Sequence, residues 1–125
     1  MMRAETVPQP PVCPALDVSV LDSLRQYDPD GQQGLLADLV ATFEVEARDR
    51  LVNLRAAIAL GDGLAAGRLA HSLRGICGAI GATHLADLSR QLELAAGEGR
   101  NLRRWDLEPM EREYHRVAAA LLSFS

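Results

Sequence analysis

"LAHSLRGICGAIGATHLADLSRQLEL", Leu69 to Leu94, holds two helical patterns back to back with a glycine at the join. At about 100° per residue, Ala66, Leu69, Leu73, Ile76 and Ile80 fall within roughly 80° of arc, the apolar stripe of a helix that faces a core. Gly81 follows the last of them and breaks the helix. Thr83 then stands where a hydroxyl N-cap would open the next helix, with Leu85, Leu88, Leu92 and Ala95 on its inner face. Helices joined by so short a link pack side by side and antiparallel, so this stretch sets the architecture as helix on helix.

The flanks extend the pattern. Upstream, Asp62 caps the helix just described, and before it Leu36, Leu39, Val40, Phe43, Ala47, Leu51, Leu54 and Ile58 follow three/four spacing in a long helix that ends at Gly61. Earlier still, Asp17 caps a short helix with Val18, Leu21 and Leu24 on one face, stopped by the turn "DPDG" from Asp28 to Gly31. Downstream, "GEG" at Gly97 to Gly99 closes a helix. The last one then carries Leu107, Met110, Tyr114, Val117 and Leu121, with Pro109 expected in its first turn. Residues 16–125 are thus predicted to be all-α: an antiparallel four-helix bundle with an additional short N-terminal helix. Residues 1–15, with four prolines, read as a flexible leader or linker.

Composition agrees and narrows the function. A chain of 125 residues makes one domain, and 4% aromatics with 48% hydrophobic residues suits packed helices. A net charge of −4 without a Lys/Arg run argues against nucleic-acid and anionic-membrane binding, and no apolar run approaches a membrane span. Cys13 and Cys77 cannot build a disulfide framework, which points to a reducing, cytoplasmic setting. A bundle that completes its own core is expected to be a monomer.

His71 lies away from the stripe. Leu64, Gly67, Arg74, Gly75 and Gly78 project within about 60° of the direction opposite the core, together with it. Each of Gly75 and Gly78 costs about 1 kcal/mol of helix propensity relative to Ala, so a bare backbone beside an exposed imidazole calls for a reason. Close approach by another protein supplies one, and Arg74 offers a cation one turn on for a phosphoryl group. His71, His84 and His115 lack metal-ligand spacing, so no metal site is expected. No acid adjoins His71 in the chain, no GxSxG is present, and "GAIGA" lacks the Lys-Ser/Thr of a P-loop. Cys77 lies on the core flank of the helix and reads as a small buried hydrophobe.

These residues resemble the histidine-containing phosphotransfer domains of phosphorelays. That family carries Ala-His-x-Leu-Lys-Gly, a Gly-Ala ten residues after the histidine, a Leu three further on, and a Leu-Glu near the end of the next helix. Here these are Ala70-His71-Ser72-Leu73-Arg74-Gly75, Gly81-Ala82, Leu85 and Leu92-Glu93. The resemblance implies that His71 accepts a phosphoryl group, through Nε2, from the aspartate of one receiver domain and passes it to that of another. Arg74, standing where the family has Lys, would stabilise the phosphoryl group; Gly75 would give clearance. Leu64, Gly67, Arg68, Arg74, Gly75 and Gly78 would meet the partner, a response regulator or hybrid kinase. The protein would need no cofactor of its own, with Mg²⁺ supplied by the receiver, and would be an intermediate without ATP-dependent kinase activity.

Two other readings compete. The dimerisation region of a sensor kinase also has a helical histidine followed by Leu-Arg, but here Ser72 stands where an acid is usual, no Pro follows in the next turns, and there is no room for an ATP-binding domain. The alternative is a helical adaptor that binds and regulates a signalling partner without phosphotransfer, with His71 a relic.

Overall fold

The structure, a computed structural model, describes residues 14–124. Among these, five helices follow one another: α1 (Val18–Tyr27), α2 (Leu35–Ala59), α3 (Gly63–Ile80), α4 (Thr83–Gly97) and α5 (Arg104–Phe124). Most of the expected leader, Cys13 included, lies outside the described residues.

Helices α2 to α5 form a ring in which each packs on the next and α5 closes on α2; α1 touches only α2 and α3. Short links make the neighbours antiparallel, so the predicted four-helix bundle with one extra helix is what the chain forms. The expected inner faces of α2 and α5 are buried at Phe43, Ala47, Leu51, Leu54, Leu107, Met110, Tyr114, Val117 and Leu121. Phe43 and Tyr114 stack with centroids 6.0 Å apart, and the Tyr114 hydroxyl donates to the Glu44 carbonyl at 3.0 Å. A ring side chain crosses the α2/α5 seam without stranding its polar end.

Helix α1 closes one end of the bundle. Asp17 caps it, its carboxylate accepting from the Ser19 backbone at 3.1 Å, and Leu21 is buried. Val18, expected on the same face, is exposed. The backbone N–H of Asp17 donates to the Gly81 carbonyl at 2.7 Å, which ties the start of α1 to the α3/α4 junction. Gly81 has φ of 81°, and a Cβ there would stand 2.5 Å from the Asp17 carbonyl oxygen. Two demands, a left-handed turn and a close approach, meet at that residue.

Two expected helix starts differ. Thr83 is the first residue of α4 rather than its cap; the capping position is Ala82, buried and without a side-chain cap. The Thr83 backbone N–H donates to the Gly81 carbonyl at 2.9 Å, which draws Thr83 into the first turn. Pro109 lies inside α5, beyond the first turn, because that helix already begins at Arg104. The start is held by reciprocal bonds between Arg103 and Asp106, at 2.8 and 2.9 Å. Trp105, whose carbonyl loses its usual N–H donor to Pro109, is exposed to water.

Candidate functional site

Helix α3 is packed on both sides, by α2 and by α4. Its buried residues are accordingly Ala66, Ala70, Leu73, Cys77 and Ile80, whereas Leu69 and Ile76 from the expected stripe are only partly covered. At about 100° per residue the true inner face is turned about 45° toward His71. Hydropathy understates Ala70 and Cys77 because both are small, yet small side chains are what a crowded inner face accommodates. Cys77 is fully buried, and burial pushes its thiol up to about 12.

That rotation decides what surrounds the histidine. Ser72 turns toward α2, where its hydroxyl accepts from Arg50 Nε at 3.2 Å. His71 comes out beside α4 with 63% of its side chain exposed. Below it Gly67 lies against α4 rather than in fully open space. A Cβ there would sit 3.4 Å from Ala96 Cβ, in contact with α4.

Across the seam stands Glu93. Its Oε2 lies 2.8 Å from His71 Nδ1. Its Oε1 is buried, makes no hydrogen bond, and faces Arg74 Nη1 at 3.5 Å. Arg74 Nη2 lies 3.3 Å from the same His71 Nδ1. A carboxylate can only accept, so the shorter contact places the proton on Nδ1, donating to Glu93. Nε2 then carries the lone pair, and among the described residues no hydrogen bond engages it. The imidazole is thus oriented by a second helix, with Nε2 left free of hydrogen bonds on a mostly exposed side chain.

No acid adjoins His71 along the chain, but one stands beside it in space. The acid is there, supplied 22 residues on by α4. Leu92, buried in the core, puts Glu93 about 100° further round, on the α3 side. The Leu-Glu pair was visible as a motif, but its contact depends on the register of two helices.

Between α3 and α4 runs a groove of about 640 Å³. Of the residues singled out from the sequence, Leu64, Gly67, Arg68, His71 and Arg74 line it. Helix α4 adds Arg90, Glu93 and Leu94, which the sequence reading did not anticipate. Leu64 and Leu94 are both exposed apolar residues on its walls. Gly75 and Gly78 lie outside the groove, and a Cβ at either would meet nothing within 4 Å. The backbone beyond the histidine is therefore open. Among the described residues, no group of three or more His, Cys, Asp or Glu is gathered to hold a metal ion, and no helix is long and apolar enough to cross a membrane.

The Hpt domain family matches residues 38–122. Among solved structures, the chain is similar to histidine-containing phosphotransfer protein B from Pseudomonas aeruginosa. The TM-score is 0.77 and the identity 34%, over 90% of this chain and 95% of that one. No curated protein matches the sequence.

Proposed function

The chain belongs to the Hpt domain family, the histidine phosphotransfer proteins of phosphorelays, and from that premise we propose that His71 Nε2 relays a phosphoryl group between aspartates of receiver domains. The observation that carries this reading is the tethered imidazole, with Nδ1 held by Glu93 at 2.8 Å while 63% of the side chain is exposed.

Each half-reaction is a displacement at phosphorus. The Nε2 lone pair attacks the phosphorus of a receiver's phosphoaspartate; the N–P bond forms as the P–O bond breaks and the aspartate carboxylate leaves. No proton has to depart from Nε2, since none is there. The ring becomes cationic, and the Glu93 carboxylate at Nδ1 balances that charge. In the second half an aspartate oxygen of the next receiver attacks, and the N–P electron pair returns to Nε2. Phosphoryl transfer depends mostly on positioning and charge neutralisation. In this reading Arg74 contributes a cation from this chain, and Mg²⁺ belongs to the receiver.

The docking surface follows from the same geometry. Leu64 and Leu94 offer modest apolar area beside the histidine, Arg68 and Arg90 offer charge to an acidic partner, and the bare backbone at Gly75 and Gly78 admits a close approach. A contact of this kind is weak and reversible, as a relay requires. The protein acts as a monomer in the cytoplasm in this reading, where its free buried thiol stays reduced.

The test is transfer from a phosphorylated receiver domain to the purified chain. His71→Gln is expected to fold with unchanged circular dichroism and to take no label. Undiminished labelling of that variant would remove His71 from the chemistry. Labelling of the wild type from ATP alone would instead point to a kinase.

A further inference from the structure

In the unphosphorylated protein Arg74 is not free to serve a phosphoryl group. Its Nη1 lies 3.5 Å from Glu93 Oε1 and its Nη2 3.3 Å from His71 Nδ1, so the guanidinium sits at the Nδ1 edge of the ring, on the Glu93 side. A phosphoryl group on Nε2 would stand at the far edge. The pairing with Glu93 is loose: it is single and longer than a hydrogen bond, whereas the Arg55–Glu111 pair elsewhere on the surface is forked, with contacts of 2.7, 2.9 and 3.1 Å. Glu93 Oε1 is also buried and without a hydrogen bond, so Arg74 is the cation that offsets its charge.

We propose that Glu93 competes with the phosphoryl group for Arg74, and that this competition keeps phospho-His71 short-lived and readily transferred. The proposal rests on His71 being the phosphorylated residue. When the phosphoryl group arrives, the flexible Arg74 side chain can rotate toward it, but only by leaving Glu93 Oε1 buried and unpaired. The cationic ring meets Glu93 only at Oε2, so Oε1 and the phosphoryl group still share one guanidinium. The phosphoryl group is held less firmly than Arg74 alone would hold it, and its energy of transfer stays high. Glu93 is in this sense a positioning residue with two oxygens in two roles: Oε2 fixes the ring tautomer, and Oε1 holds back the cation.

Phosphoramidate tests this without any receiver domain. Its N–P bond breaks as Nε2 attacks, ammonia leaves with the electron pair, and the phosphoryl group passes to the ring. Decay is then hydrolysis: a water oxygen attacks phosphorus, the N–P pair returns to Nε2, and inorganic phosphate is released. Phosphorus NMR follows the lifetime after excess donor is removed. Glu93→Gln keeps an oxygen to accept from Nδ1 but offers no charge to Arg74. Its lifetime is expected to rise about threefold or more, the scale of a partly exposed ion pair.

The same substitution in an Arg74→Ala background distinguishes the cause. There the exchange is impossible, and Glu93→Gln is expected to leave the lifetime unchanged. A rise of equal size in both backgrounds would assign the effect to charge on the ring and overturn the exchange. An unchanged or shorter lifetime for Glu93→Gln alone would overturn it too. Equal labelling of wild type and His71→Gln would instead overturn the assignment of His71 itself, so the two failures are distinct.

Discussion

Gly75, Gly78 and Gly81 belong to one short stretch, yet substitution should separate them completely. Gly75 is helical with open space where a Cβ would go, so Gly75→Ala is expected to raise stability by about 0.5–1 kcal/mol in urea unfolding. Gly75→Glu should leave the fold intact but slow transfer from a receiver domain, since its side chain fills the approach to His71. Unchanged transfer rates would show that this clearance is not used. Gly81→Ala should behave in the opposite way, losing about 2 kcal/mol or more in the same unfolding measurement. The residue combines a φ of 81° with the Asp17 carbonyl 2.5 Å from the added carbon. The local pattern revealed which glycine breaks the helix and which two leave it bare. The carbonyl lying against Gly81 comes from a distant part of the chain and leaves no mark on the local pattern.

At the scale of elements, helix starts were the least legible feature. Asp62 caps α3 as its position predicted, with its carboxylate accepting from the Ala65 backbone at 3.1 Å. Helix α2 begins at Leu35 after Gly34, which has no side chain to cap it. Its start is tied instead by Asp28, at the end of α1, whose carboxylate accepts from the backbone of Gln33 at 3.1 Å and lies 3.4 Å from that of Leu35. Asp28→Ala is therefore expected to lower stability by about 1 kcal/mol in thermal or urea unfolding, the scale of a lost N-cap, while Asp28→Asn retains most of it. Equal stability of all three proteins would show that this tie contributes nothing. The cap acts across a turn rather than from the adjoining residue, which is why a scan for Ser, Thr, Asp or Asn next to the first apolar residue passes over it.

For the molecule as a whole, the ring of four helices places Cys77 at the centre and His71 at the rim of one helix. With its thiol fully buried and pushed up to about 12, Cys77 should resist alkylation in the native state at pH 8, measured in a Cys13→Ser background, and react promptly in denaturant. Prompt native labelling would mean that the core opens locally around α3. The sequence by itself determined the helices, their antiparallel order, the histidine on an exposed flank and the glycines beside it, because period and breaks are properties of a single stretch of chain. Only the tertiary structure decided that α3 turns toward α4, that Gly67 lies against Ala96, and that Glu93 meets both His71 and Arg74. Those contacts depend on the register of one helix against another, which no single-helix pattern encodes.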